Sequence, residues 1–196
     1  MKIHSIIITI NLIRPTFLLL FFLATSFAYS QKNQYLDERN GFKIFTFGDS
    51  KEYYDGMIGA KAPYLTFGYN TEGYKYIKSE PYELYGAEWN ELLLGFTRRK
   101  LTNIRVKWKF SRNTYSGLKK ALTEIFGEPE ESNSKMSNSY VWRGDKVIMI
   151  LSRESDEFID EAKREGLLDD FDLSVTLKIE NRKLKGTILY DKKKGF

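Results

Sequence analysis

The chain has no cysteine, and its one histidine, His4, sits close to the N-terminus. The first absence excludes disulfide stapling, thiol catalysis and Cys-ligated zinc. The second leaves everything beyond residue 4 without an imidazole for acid–base relays or metal ligation. Stability must therefore come from packing. Charge is also mild: 31 Lys and Arg against 26 Asp and Glu give a formal +5, too little to point to nucleic acid. No compact Asp-x-Asp-x-Asp-Gly loop is present for calcium, and no Ser-Asp-Asn or Lys-Thr-Gly accompanies the serine-lysine pairs described below. No metal and no cofactor is expected.

What the chain does contain begins with an apolar front. Lys2 and Arg14 precede the run Phe17 to Ala24, and Ala28-x-Ser30 follows before Gln31, which gives the three parts of a secretory signal. Residues 1–30 are read as that signal, cleaved near Ser30, and 31–196 as one exported α+β domain, periplasmic or secreted. The alternative is an uncleaved anchor, since Ile6 to Ala28 is long enough to span a bilayer; membrane contact would then run only through this segment. Against it, Arg14 sits mid-span, at a cost of roughly 2.5–3.5 kcal/mol on insertion scales. Cleavage removes Lys2, Arg14 and no acid, so the charge falls from +5 to +3.

The domain is organised around Glu91 to Gly127. Leu92, Leu94 and Phe96 alternate with polar or small residues, Arg98-Arg99-Lys100 forms a basic turn, and Ile104, Val106, Trp108 and Phe110 resume the alternation. Period two puts these apolar side chains on one face of a hairpin and leaves Arg105, Lys107 and Lys109 on the other. From Ser116 the period changes. Leu118, Ala121, Leu122, Ile125 and Phe126 make a helical stripe that ends at Gly127 and Pro129 and is expected to cover the apolar face.

Other segments fit around this unit. Gln31 to Asn40 reads as loose, Phe42 to Gly48 as a strand, and Asp49 with Glu52 as a capping box that opens a short helix to about Ile58. Tyr74 to Ile77 alternates as a strand, with Pro81 as an edge or break. Tyr140 to Trp142 and Val147 to Leu151 flank Arg143-Gly144-Asp145-Lys146 as a second hairpin, whose nearly all-apolar second strand suits a central position. Ser155 or Asp156 opens a helix ended by Gly166. Leu173 to Ile179 is a strand, and Leu184 to Tyr190 pairs back on it. The expected fold is two-layer α+β, a mostly antiparallel sheet with helices packed on one face. A two-part echo relates Phe42 to Ile58 with Phe110 to Phe126.

Phe126-Gly127-Glu128-Pro129 followed by the Tyr140-x-Trp142 hairpin resembles the small exported helix-plus-β-meander proteins, among them outer-membrane assembly lipoproteins and the β-lactamase-inhibitor-protein-like fold. The Gly41-Phe42 strand and the Phe47-Gly48-Asp49-Ser50 helix start are similar to those of exported bacterial α+β proteins more generally. The resemblance implies an exported α+β scaffold and no particular activity. This chain departs from it in having no lipobox cysteine, no disulfide and an inserted acidic helix at 156–166.

Several constellations carry chemistry on paper. Ser116-x-x-Lys119 and Ser132-x-x-Lys135 match serine-lysine acylation spacing, yet a helix start and a loop need the same residues. Arg143-Gly144-Asp145 spells an adhesion tripeptide and is equally ordinary turn chemistry. Asp156, Glu157, Asp160, Glu161, Glu165, Asp169, Asp170 and Asp172 offer oxygens, but charge runs on helices usually face water. Two surfaces remain as candidate binding sites: the basic strand face of Arg105, Lys107 and Lys109, and the tyrosine-rich stretch with Tyr74, Tyr76 and Tyr82, whose rings can equally be core. The expected function is a non-catalytic interaction or binding module. Its partner would be an envelope or extracellular protein or a glycan. The alternatives are a glycan or anionic-polymer binder on those two surfaces and a small carboxylate or Ser-Lys hydrolase.

Overall fold

The computed structural model describes residues 34–60, 66–68, 70–78, 83–168 and 173–186. Its centre is an eight-stranded antiparallel sheet in the order β3-β4-β7-β8-β12-β11-β10-β9. The strands are β3 Met57–Gly59, β4 Glu72–Tyr76, β7 Glu91–Thr97, β8 Lys100–Lys109, β9 Glu130–Asn133, β10 Ser137–Arg143, β11 Val147–Glu154 and β12 Ser174–Asn181. Two small hairpins, β1 Gly41–Phe42 with β2 Phe45–Thr46 and β5 Glu83–Leu84 with β6 Ala87–Glu88, lie outside it. The order is that of two four-stranded meanders set back to back, joined where β8 meets β12. The protein is α+β.

Alternation fixes which face is core. Leu92↔Val106, Leu94↔Ile104, Val106↔Leu177, Ile104↔Ile179, Trp108↔Val175, Leu177↔Leu151 and Ile179↔Met149 are directly paired and share one buried face. Helix α2, Arg112–Phe126, covers that face with Tyr115, Leu118, Leu122 and Phe126. The expected stripe is thus the one used. The helix begins a turn before Ser116, because Ser111 is the N-cap and its hydroxyl accepts the Thr114 N–H. Gly127 ends it at φ +81°, and its carbonyl accepts the Trp142 indole N–H at 2.7 Å, which ties the helix terminus to β10. Phe110 lies past the end of β8 and is only half-buried.

Four local expectations are corrected. Residues 34–39, read as loose, form helix α1, with Leu36 in the core. Phe42 to Gly48 folds back on itself as the β1–β2 hairpin, with Lys43 at φ +55°, so that Phe42, Phe45 and Phe47 are buried while Lys43 and Ile44 are exposed. The capping-box helix near 50–58 is a single 3-10 turn, Lys51–Tyr53, without a side-chain cap; Asp49 instead accepts the Tyr54 hydroxyl, and Met57 to Gly59 pairs with β4. Gly56 at φ +75° breaks any helix there. Residues 182–186 are helical, because Asn181 Oδ1 accepts the Leu184 N–H at 2.8 Å; 187–190 lie outside the described residues. The two-part echo is not found either, since Phe42–Ile58 holds short strands and a 3-10 turn where Phe110–Phe126 holds α2.

The second hairpin forms as expected, and its turn is held from a distance. Asp37 of α1 accepts the N–H groups of Asp145, Lys146 and Val147 at 2.6, 2.8 and 2.8 Å. Gly144 is required there, since a Cβ would stand 2.4 Å from Asp37 Oδ1. Arg143 pairs with Glu130 at 2.8 Å, so the Arg-Gly-Asp tripeptide is engaged with the protein's own acids. Bonds to a charged acceptor are worth about 1.5–3 kcal/mol each on deletion. Asp37→Ala is expected to destabilise by about that amount and to speed amide exchange at residues 145–147 first.

Trp108 is 2% exposed in the centre of the sheet, and its indole N–H reaches Ala87 O at 3.1 Å. Trp108→Ala should cost about 3–5 kcal/mol in urea melts and Lys107→Ala little. Equal midpoints for the two variants would mean that the strand faces are inverted.

Candidate functional site

The face of the sheet opposite α2 is read directly from the register. One rung across it runs Glu91, Lys107, Thr176, Ser152, Ser139, Ser132; the neighbouring rung runs Leu93, Arg105, Lys178, Ile150, Val141. Lys109 stands opposite Ser174. The three basic residues expected on one face are therefore together on it, Arg105 and Lys107 half-buried and Lys109 exposed. The face has two characters: cations towards β8, hydroxyls towards β10. Lys178 is paired with Glu180 at 3.2 Å, as is Lys185 from the helical turn at 182–186. Burial pushes the Glu180 carboxyl up, but these two lysines outweigh it and hold the group below its ordinary range. Arg105 has no such partner. Its Nε is enclosed, and the side chain makes no hydrogen bond or ion pair with any described residue.

A cavity of about 430 Å³ opens at the boundary between cations and hydroxyls. Arg105, Ser139, Ser152 and Thr176 line it from the sheet, with Ile150 between them, and Phe158 lines it from helix α3, Asp156–Arg164. Helix α3 lies in the connection between β11 and β12, and its Phe158 meets the cavity on the face that α2 leaves bare. Its position is fixed at its N-terminus. Ser155 caps the helix by accepting the Phe158 N–H, donates its hydroxyl to Lys135 O, and donates its N–H to Met136 O at 3.0 Å. Arg153 then makes a two-pronged contact with Asp156, at 3.1 and 2.9 Å, and Arg112 of α2 adds a third at 2.9 Å.

The Arg153 guanidinium, and after it Arg112, holds the Asp156 carboxyl down at about 2. A depressed folded-state value means that the contact contributes fully above the unfolded value, roughly 3.9, and is lost as pH falls from there towards 2. A carboxyl titration followed by NMR should place Asp156 near 2 in the native protein and return it towards 4 in Arg153→Gln.

Other sequence candidates are placed elsewhere. Tyr76 is 9% exposed on the core face; Tyr74 shares that face, and its hydroxyl accepts from Lys51 Nζ at 2.6 Å and donates to Glu72 at 2.8 Å. Neither ring is an open platform, and Tyr82 lies outside the described residues. Ser116 donates to Asn113 O within its own helix, while Lys119 Nζ lies 4.1 Å over the Tyr140 ring and 3.5 Å from Glu131. Tyr140, then Glu131, raises the Lys119 value, the opposite of what a general base requires. Ser132 is on β9, and Lys135 is in the turn after it. Glu157, Asp160, Glu161 and Glu165 face solvent, and among the described residues no group of three or more acids is placed to hold a metal. Asp169, Asp170 and Asp172 lie outside the described residues.

The hydroxyl half of the face was not read from the sequence. Its signal was present in the period-two Ser137-x-Ser139 and Ser174-x-Thr176, but these acquire meaning only once β10, β11 and β12 are paired. No family model matches the chain, and no match is found among curated proteins or solved structures.

Proposed function

We propose that the protein is an exported, non-catalytic binding module that takes its ligand on the open face of the sheet. The observation that carries this reading is the 430 Å³ cavity beside an Arg105 with no partner among the described residues. A partly desolvated cation without a counter-charge is costly to fold around, and an incoming anion offsets that cost. The cavity also falls in the ~300–1,000 Å³ range of small-molecule sites. Export rests on the signal-like residues 1–30, and no described helix is long and apolar enough to cross a membrane. Non-catalytic use is supported by a chain without cysteine or a histidine beyond His4, and by a Ser116–Lys119 pair whose groups are engaged elsewhere. The partner is an envelope or extracellular protein or glycan, and the resemblance to exported helix-plus-meander proteins is kept as a likeness of scaffold alone.

A photocrosslinking residue at position 109 should capture a ligand in the native compartment that the same group at Lys120, exposed on α2, does not. Arg105→Ser, Lys107→Ser and Lys109→Ser combined should lose the capture while leaving the urea midpoint nearly unchanged. Raised salt should weaken the wild type, since exposed charges are screened over about 8 Å at physiological ionic strength. Equal capture from positions 109 and 120 would overturn the open-face reading.

A further inference from the structure

We propose that the cavity takes an acidic sugar, a hydroxylated ring carrying one carboxylate; this rests on the reading of the open face as the binding surface. Charge is the first argument. Three charged side chains line the cavity, and two are committed: Arg153 to Asp156, and Glu154, whose Oε2 accepts the Ser174 N–H at 3.1 Å. Arg105 is the lining cation without an ion pair among the described residues. One negative charge matches it, and guanidinium suits the planar fork of a carboxylate. A phosphate monoester brings nearly two charges. The second of these would meet Glu154 across the cavity.

Hydroxyls are the second argument. Ser139 and Ser152 are directly paired on β10 and β11, and neither hydroxyl has a partner among the described residues. Thr176 continues the row on β12, with only a long 3.4 Å contact to Ser174. A serine or threonine hydroxyl both donates and accepts, as does each hydroxyl of a sugar ring, so a row of them accommodates a polyol without leaving orphaned groups. A fatty acid or simple aliphatic acid would strand the same row in an apolar contact.

Shape is the third. Ile150 lines the cavity from β11, two strands from Arg105 on the same rung, and Phe158 lines it from α3, so both elements bring apolar surface to it. A pyranose ring has C–H faces to set against such surfaces and hydroxyl edges to turn towards the serine row.

The test uses the full exported protein with D-galacturonate, D-glucuronate, D-galactose and glucose 6-phosphate, followed by NMR shifts and calorimetry. Saturable uronate binding with shifts at Ser139, Ser152 and Thr176 is expected, at least tenfold tighter than galactose or glucose 6-phosphate. Arg105→Gln should weaken the uronate tenfold or more and abolish its preference over galactose. Ser152→Val removes one hydroxyl and no charge, and it should weaken uronate and galactose alike. No saturation by either uronate at about 10 mM, tighter binding of the phosphate, or an Arg105→Gln protein that binds uronate normally would each overturn the proposal. Capture from position 109 without a uronate response would overturn the acidic-sugar assignment and leave the open-face reading standing; loss of both would overturn both.

Discussion

Everything in the structure depends on the pairing of β8 with β12. Among the described residues it is the one ladder that joins the two meanders, and its partners are some seventy residues apart in the chain, with Lys109 opposite Ser174 and Asn103 opposite Glu180. On the core side the ladder stacks Ile104 on Ile179, Val106 on Leu177 and Trp108 on Val175. These contacts offset the closure of so long a loop, whose entropic cost grows only slowly with length. On the other side the same register sets Arg105 directly against Lys178. Like charges in direct opposition are unfavourable, and Glu180 relieves only the lysine. The candidate site thus follows from the register that makes the core.

The extent to which the sequence disclosed this follows the range of the interactions. Where a single element carries its own period, the reading held: the apolar face of β7 and β8, the stripe of α2, the Tyr140 and Val147 hairpin, and the Ser155-capped helix that stops at Gly166. Where tertiary contact overrides local preference, it did not. Leu36 is the one buried residue of α1, and no period signals it. Phe42, Phe45 and Phe47 all need burial, which a straight strand cannot give at positions of mixed parity, so the run turns at Lys43 and Ile44. The basic half of the open face was legible as an alternation within β8. The hydroxyl half was not, because three strands must be brought side by side before the serines form a row.

A chain without disulfides has to hold its peripheral pieces by other means, and here aromatic rings and carboxylates serve. Phe45 packs edge-on to Tyr76 at 5.1 Å, Tyr54 lies against Phe45, and Trp89 meets both Phe42 and Trp108. Tyr74 and Tyr76, two of the tyrosines that suggested a sugar platform, are part of this packing, Tyr76 against Phe45 and Tyr74 against Phe96. Asp37 does the corresponding work for the second meander, its one carboxylate fastening α1 to three consecutive N–H groups of the β10–β11 turn. The N-terminal part of the domain therefore touches both halves and spans their junction on the core side.

The opposite side of that junction is treated differently. An antiparallel sheet can leave one face to water, and the β8 end of this face, with Lys109 exposed, does so. The β11–β12 connection does not take the short route of a hairpin; it carries α3, whose Glu157, Asp160 and Glu161 face solvent and whose Phe158 lines the cavity with Ile150. A flat hydroxylated surface becomes walled as a result, and the wall is anchored where it matters. Ser155 fixes the start of α3 to the β9–β10 turn, Arg153 and Arg112 bracket Asp156, and Phe158, two residues on, lines the cavity. Ile159 and Ala162 of the same helix are buried, so the connection adds packing of its own while it gives the open face its concave shape.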